Sequence, residues 1–541
     1  MSGTLSLATA IAAMDRGRLE RLVANRRVLS PAAVHEPLGL ALELLRSDSI
    51  ARALQGAHRE QLDALLALSA GVQPNGLVRD ALQGAGLVGV STAEEGAEQG
   101  GLVPLPEVLA QLDELGFTAS EPSEQGSPRT FDTTSWFGPA LTSVRRAAGL
   151  LRIVAGHPLR LGRKGRPAVM AVRELADALR CEAEPVDRLV DIVRAAGLLT
   201  EVRDHDGTVH LGVSARAADW LALGYPDRWL ALAEAAAGEF DARLRSTLMQ
   251  AEGDLRLVVQ RIPYDYPLLP EPEREGFRRL ADSAEDLGLT VDGLLSPAAS
   301  ALFGSAEREP SVREAQKIAE RQIPAPVPGV YLQPDLSLIV PGPLAPEDEA
   351  AVSAIAEIEH LGPAASLRLS TASLTRAAKR GFEPASVRAL LERLSLTGIP
   401  QPLEYLLRDL ERKLAMQTEA QHEGPLRTPG RVPQRLSVAG DPDPRPERRA
   451  EPDAADGLTA MVERVLASAA DAGDEGDLTR RLKLAIRDRS AVQVTAVAGA
   501  DERVFTLLPV SLQGGRLRAT DQQAGVERTL PVSAITAVDA A

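Results

Sequence analysis

Apolar residues recur at helical spacing through most of the chain, and this pattern predicts a mainly helical fold. Leu19, Leu22 and Val23 fall on one helical face, and Leu62 and Leu65 on another, so the first 70 residues are predicted to be helices. The pattern later alternates instead, which predicts strands at 491–497, 503–510, 516–520 and 526–530. We therefore expect a mainly helical α+β protein.

A pattern of helix, glycine and strand occurs twice. Residues 78–90 (VRDALQGAGLVGV) align with residues 189–201 (LVDIVRAAGLLTE), and each is an amphipathic helix followed by Gly and an apolar pair. Gly86 and Gly197 occupy the position after a helix end where a positive φ is expected. Each copy continues as strand, polar turn and strand, which is the outline of a winged helix.

The second copy is the more complete, with helices predicted at 143–156, 172–180 and 185–196 and a short strand at 158–161. A fainter third copy ends at 287–295. These patterns predict a helical and winged-helix domain at 1–115 and a second winged-helix domain at 135–225. Residues 226–323 are predicted to be helical, with a third winged helix as one interpretation.

The rest of the chain divides into three parts. Residues 324–415 predict a small α/β domain, with a strand at 331–340, a helix at 347–360, a short strand at 366–369 and further helices. Residues 416–457 carry Pro, Arg, Asp and Glu with few large apolar groups, which predicts a disordered linker. Residues 458–541 predict helices followed by a small, bent, barrel-like β domain.

Composition limits the classes of function. The net charge of −15 repels phosphate at long range, so contact with nucleic acid requires a local basic surface. The single cysteine, Cys181, excludes internal disulfides, and no apolar run is long enough to span a bilayer. Without a signal-peptide pattern, we expect a cytoplasmic protein.

Motifs for catalysis are missing from the sequence. A helicase motor needs a phosphate-binding loop with a Gly-Lys pair, and the chain has no Gly-Lys dipeptide. The seven histidines are scattered, so neither a metal nor a cofactor is expected. We predict a non-enzymatic protein, while a hydrolase site assembled from distant residues stays a minor alternative.

The strongest local charge signal is an acid-free stretch from Thr133 to Arg173 within the second winged helix. Guanidinium groups suit phosphate geometry, so we predict DNA contact here. The alternatives are a solvated face or a patch that docks an acidic part of the same chain. The candidate residues are Arg145, Arg146, Arg152, Arg160, Arg163, Lys164, Arg166 and Arg173.

The predicted third helix of this winged helix complicates that expectation. It carries Asp187 and Asp191 on one face, and an acidic helix is poorly suited to a groove lined by phosphates. This winged helix is therefore expected to bind DNA through its first helix and wing, or to bind protein instead.

Residues 331–344, YLQPDLSLIVPGPL, resemble the N-terminal, non-motor domain of XPB-type DNA helicases. The resemblance rests on Tyr331, the run 333–335, the run 341–344 and the later pattern with Gly381, Ile399, Pro400 and Pro402. It implies a domain that works beside a helicase motor. The whole architecture is similar to actinobacterial helicase-associated proteins that lack a motor.

The C-terminal strands resemble a WYL domain, a bent sheet that senses ligands in bacterial regulators. Pro509, Leu517, Ala519 and Asp521 keep the pattern, but Gly515 and Arg516 replace its Trp-Tyr pair. The resemblance leaves ligand sensing open. Arg516 and Arg518 are expected as phosphate contacts in this domain.

Together these features predict a helicase-associated accessory protein that binds DNA, an XPB-type helicase, or both, in DNA repair or transcription. The alternative is a protein-binding or ligand-responsive regulator or scaffold that uses its winged helices and WYL-like domain. DNA specificity, protein partners and oligomeric state stay open.

Overall fold

The computed structural model describes residues 3–26, 28–90, 101–119, 132–162, 165–204, 206–304, 308–422, 454–470, 475–498 and 501–540. The predicted fold class is confirmed: the protein is mainly helical α+β, with several small antiparallel sheets. One compact unit contains Met1–Glu124, Ile262–Arg274 and Leu436–Ala541, and the other contains Gln125–Arg261 and Glu275–Arg435. Across those described ranges, no helix is both long and apolar enough to cross a membrane.

The first segment is helical with one antiparallel hairpin. Gly86 has a φ of 61° directly after the helix that precedes the hairpin, as predicted for its C-cap position. The elements are α1 (Gly3–Ala12), α2 (Arg16–Asn25), α3 (Pro37–Leu44), α4 (Ser47–Gln55), α5 (Arg59–Ser69), α6 (Gly76–Gly84), β1 (Val88–Val90), β2 (Leu102–Pro104) and α7 (Pro106–Glu114).

The next segment has the element order and strand pairing of a winged helix. Its sheet has the order β3-β5-β4, fully antiparallel, and Gly197 takes the predicted positive φ of 71° before β4. The elements are α8 (Phe137–Gly156), β3 (Leu159–Arg160), α9 (Val169–Leu179), α10 (Ala183–Ala195), β4 (Leu199–Arg203) and β5 (Val209–Val213).

The faint third copy contains a very short hairpin. Helix α15 ends before Gly288, whose φ is 69°, and β6 pairs with β7 across a turn at Asp292 and Gly293. The elements are α11 (Arg216–Ala222), α12 (Tyr225–Gly238), α13 (Ala242–Gln250), α14 (Leu255–Asp265), α15 (Glu271–Asp286), β6 (Thr290–Val291), β7 (Leu294–Leu295), α16 (Pro297–Phe303) and α17 (Arg308–Gln322).

The predicted α/β domain is a four-stranded antiparallel sheet, in the order β10-β11-β9-β8, packed with helices. The elements are β8 (Tyr331–Leu332), β9 (Ser337–Val340), α18 (Pro346–Ile355), β10 (Glu357–Leu361), β11 (Ala365–Arg368), α19 (Thr371–Lys379), α20 (Pro384–Leu394) and α21 (Gln401–His422).

Two predictions within this domain were wrong. The strand predicted at 331–340 is a hairpin, because Asp335 accepts hydrogen bonds from the Ser337 N–H and hydroxyl and closes a turn. Leu336 completes that turn with a φ of 70°. The helix predicted at 347–360 ends at Ile355, after which the chain forms β10 against β11.

The four predicted C-terminal strands are confirmed, and a fifth strand, β16, joins them in an antiparallel sheet of the order β15-β14-β13-β12-β16. Helices α21 and α22 extend into both ends of the predicted linker 416–457, and its centre, 423–453, lies outside the described residues. The elements are α22 (Ala454–Ala470), α23 (Glu475–Asp488), β12 (Val492–Ala498), β13 (Asp501–Gln513), β14 (Arg516–Asp521), β15 (Val526–Pro531) and β16 (Ile535–Ala540).

The two ends of the chain share one hydrophobic core. Buried Leu19 and Leu40 belong to the same cluster as Met461 and Val538. The Arg464 guanidinium also donates to the carbonyls of Pro31, at 2.7 Å, and Val34, at 3.1 Å. The regions predicted as separate domains, 1–115 and 458–541, are thus parts of one compact unit.

Candidate nucleic-acid interface

The structure divides the arginine-rich candidate set instead of assembling it into one surface. Arg145 is buried, Arg146 and Arg152 are half-buried, and Arg160, Arg166 and Arg173 are exposed. The remaining two candidates, Arg163 and Lys164, lie outside the described residues.

Arg145 is committed to the interior of its own unit. Only 5% of the residue is exposed, and its guanidinium donates to the carbonyls of Gly342 at 2.5 Å, Gly362 at 2.6 Å and Pro363 at 2.8 Å. Because these donors are already used by backbone acceptors, Arg145 has no free edge for a phosphate. Arg145 thus joins α8 to the α/β domain, and its burial and its carbonyl partners argue against the predicted contact with DNA.

Arg152 and Arg228 take part in the same joint by flanking one carboxylate. Glu349, in the first turn of α18, accepts from Arg228 at 2.6 Å and from Arg152 at 3.2 Å. Arg228 is fully buried on α12. Tyr225, on the same helix, is also buried, and its burial together with the nearby charge of Glu349 raises its pKa to about 12. We call Arg145, Arg152, Arg228, Tyr225 and Glu349 the arginine cluster.

The acidic face of α10 is neutralised by arginines from two other segments. Arg166 reaches Asp191 at 2.7 Å and Asp187 at 3.4 Å, while Arg279 on α15 reaches the same pair at 2.7 and 2.8 Å. Burial acts to lower the pKa of Arg279, but the hydrogen bond to Asp191 and the charge of Asp187 raise it overall. The carboxylates that argued against DNA contact therefore serve as internal anchors.

A second set of ion pairs holds α15 against α10. Arg188 is 8% exposed and lies 2.8 Å from Asp286, 3.1 Å from Glu184 and 3.8 Å from Asp282. Burial raises the pKa of Asp286, although its hydrogen bond to Arg188 acts in the opposite sense. Because α15 is anchored to α10 at both sets of pairs, α10 is not a free helix of the kind that enters a major groove.

The cations that stay accessible flank the connection between β3 and α9. Arg160 ends β3, Arg173 lies in α9, and both side chains are exposed without an ion pair to any described carboxylate. Arg166 lies between them in sequence but is already paired with α10. Among the described members of the set, Arg160 and Arg173 are thus the exposed cations without a carboxylate partner.

In the C-terminal sheet, the two predicted phosphate contacts, Arg516 and Arg518, differ in whether they pair with a carboxylate. Arg518 is 58% exposed at its side chain and pairs with Glu527 at 2.9 Å across β14 and β15. Arg516 is exposed and follows Gly514 and Gly515, which have φ values of 57° and 72°. At Gly515 this left-handed backbone is one that an aromatic side chain would strain.

The α/β domain built on β8–β11 matches a known family. A family model described as a helicase conserved C-terminal domain matches residues 330–422, from the β8–β9 hairpin to the end of α21. Comparison with curated proteins yields no match to the chain. Residues 330–422 are therefore a helicase-associated domain, close to the predicted boundaries 324–415.

The finer resemblances are separate from this finding. The predicted resemblance of this block is to the N-terminal domain of XPB-type helicases, whereas the matching family model is described as a C-terminal helicase domain. Association with helicases is common to both descriptions. The XPB likeness and the WYL likeness stay predictions.

Sequence reasoning missed the residues that connect the winged helix to this domain. Arg228 lies with the apolar residues Trp229 and Leu232 on the buried face of α12. That position in the apolar pattern could have indicated from the sequence that Arg228 is buried. Glu349 had no such signal, because its partners Arg152 and Arg228 are 197 and 121 residues away in sequence.

Proposed function

We propose that this chain is a non-enzymatic, helicase-associated accessory protein that contacts DNA phosphates through Arg160 and Arg173 and works beside a helicase in DNA repair or transcription. The observation that carries the proposal is the direct contact between the winged helix and the helicase-associated domain. Arg145 of the winged helix donates at 2.5 Å to Gly342, in the Pro-Gly-Pro turn of the helicase-associated domain. A winged-helix fold and a helicase-associated domain are thereby held in one compact unit.

Charge supports the DNA part of this proposal. Arg160 and Arg173 have no carboxylate partner among the described residues, in a chain whose net charge is −15, so an attraction to phosphate must be local. The sequence lacks the phosphate-binding loop of a motor, so the energy for strand separation would come from a separate helicase. An XPB-type helicase is the partner that the sequence resemblance favours.

The DNA contact is tested by fluorescence anisotropy of the full chain with a labelled random duplex over a range of salt concentrations. The double variant Arg160→Ala/Arg173→Ala should bind at least about tenfold more weakly at low salt, and its log–log salt slope should fall by roughly 2. The matched control is Lys317→Ala/Arg321→Ala, which removes two exposed cations of α17 from the same unit. Equal losses in both variants would contradict a local phosphate site.

The helicase association is tested by adding the full chain to an XPB-type helicase and measuring DNA-stimulated ATP hydrolysis. The chain alone should hydrolyse no ATP and should change the rate of the helicase. Tyr331 and Leu396 are 43% and 45% exposed on adjoining segments of the helicase-associated domain, since the Leu396 N–H donates to the Val330 carbonyl. Replacing both with Ala should abolish the effect, and an unchanged effect would contradict docking at this surface.

A second function, a regulator or scaffold that binds protein, is favoured by the covered α10 helix. A winged helix whose third helix is anchored to α15 through Asp187 and Asp191 is unsuited to base reading. Under this alternative the full chain binds neither duplex nor forked DNA at low salt, and the anisotropy measurement separates the two functions.

A further inference from the structure

The helicase-associated domain and the winged helix border an open cavity of about 520 Å³. A cavity of this size accommodates a small organic ligand. All of its lining residues belong to the same compact unit. Its apolar surface comes from α8, the segment that leads into α18, α18 itself and the β10–β11 hairpin, and includes Gly149, Ile153, Leu344, Val352, Ile358 and Leu361.

The polar part of the cavity lining carries more positive than negative side chains. Five arginines face three carboxylates, and two of those carboxylates are already neutralised within the fold. Glu349 is shared by Arg152 and by Arg228, which lies behind the lining, and Glu357 pairs with Arg376 at 2.9 Å. The third carboxylate, Asp177, is exposed.

Two exposed arginines of the lining have no carboxylate partner among the described residues. Arg180, at the end of α9, and Arg380, at the end of α19, are exposed and form no ion pair with any described carboxylate. Arg180 also has a φ of 55°, a left-handed conformation in which a helix C-cap usually has glycine. An arginine at this position is disfavoured by its backbone, so the local fold does not account for it.

We propose that this cavity binds a small organic anion whose apolar body fills the space between α8, α18 and the β10–β11 hairpin, and whose carboxylate or phosphate group pairs with Arg180 and Arg380. The apolar surface supplies the binding energy, and the two arginines select for negative charge. This site goes beyond the proposed function and does not depend on DNA contact by Arg160 and Arg173.

The test uses three probes with the same ring system: 2-naphthoate, 2-naphthyl phosphate and uncharged 2-naphthol. Binding to the full chain is measured by isothermal titration calorimetry at pH 7. At least one anion should bind tenfold or more tightly than 2-naphthol, and the two anions distinguish a carboxylate site from a phosphate site. Equal affinities for all three probes, or no binding by any of them, would overturn the proposal.

Variants assign the binding to the cavity. Arg180→Gly with Arg380→Ala should weaken the tighter anion at least tenfold and leave 2-naphthol unchanged, while Ser353→Trp should block all three probes by filling the space. Lys379→Ala removes an exposed cation next to Arg380 that does not line the cavity, and it should leave every affinity unchanged.

Folding damage is separated from loss of binding by the single variant Arg180→Gly. Because glycine suits the left-handed backbone, the thermal midpoint of this variant should be unchanged or higher while its anion affinity falls. A variant that keeps both its midpoint and its anion affinity would show that Arg180 takes no part in binding, which contradicts the proposed site.

Discussion

At the scale of single residues, the arginines of the second winged helix divide into interior and surface groups that composition cannot distinguish. Arg145 hydrogen-bonds backbone carbonyls of the helicase-associated domain, while Arg160 stays exposed. The acid-free stretch that suggested a DNA surface thus contains side chains of both kinds. Burial and partners decide between them, and both depend on residues far away in sequence.

The interior role of Arg145 leads to a prediction about stability. Arg145→Met should lower the free energy of unfolding by about 3 kcal/mol, because it leaves the carbonyls of Gly342, Gly362 and Pro363 without their donor. Chemical denaturation measures the change. At a temperature where the variant is folded, its DNA affinity should equal that of the wild type. A stable variant with weakened DNA binding would restore the phosphate role.

The buried Tyr225 hydroxyl predicts a pH dependence. Its pKa is raised from 10.0 to about 12, chiefly by burial, so the neutral form is favoured in the folded state. Its contribution is fully present below pH 10 and is lost as the pH rises towards 12, by about 3 kcal/mol at most. As the pH rises from 10 to 12, the free energy of unfolding should fall less for Tyr225→Phe than for the wild type. Denaturation of both proteins at each pH measures this difference. Parallel losses would contradict this assignment.

At the scale of secondary-structure elements, local signals predicted the elements well where they depended on a short run of residues. Gly86 and Gly197 take the expected positive φ because the helix C-cap is a local motif. The strand predicted at 331–340 was wrong because the polar run 333–335 forms a turn, closed by Asp335, between two short strands. The covering of α10 by α15 had no sequence signal, since Arg279 is 88 residues from Asp191.

The contact between α10 and α15 leads to a prediction for Arg188. Arg188→Ala should cost about 3 kcal/mol of stability at pH 7, because the half-buried carboxylate of Asp286 loses its partner. Burial already raises the pKa of Asp286, so its charged form is disfavoured in the fold. The deficit relative to the wild type should therefore shrink as acidification protonates this carboxylate.

Denaturation of Arg188→Ala and the wild type at pH 7 and near pH 4.5 checks this expectation. Arg278→Ala is the matched control, because this α15 arginine is 45% exposed and pairs with Glu275 in its own helix. The control should cost less than about 1 kcal/mol. A deficit in Arg188→Ala that grows on acidification would contradict the assigned role of Asp286.

At the scale of the whole molecule, the order of segments along the chain does not indicate which segments pack together. The sequence predicted a winged helix and a small α/β block, because each has a recognisable local pattern of its own. It did not predict that the first helices and the C-terminal sheet share a core through residues such as Leu19 and Val538. Such long-range packing between generic apolar residues leaves no local pattern.

The measurement that tests the account most directly is amide hydrogen exchange of the full chain with and without a forked DNA duplex at low salt. We predict that DNA slows exchange at β3 and the first turns of α9, around Arg160 and Arg173, and leaves α10 unchanged. Unchanged exchange throughout the winged helix, or protection centred on α10, would contradict an accessory protein that contacts DNA phosphate through the exposed arginines.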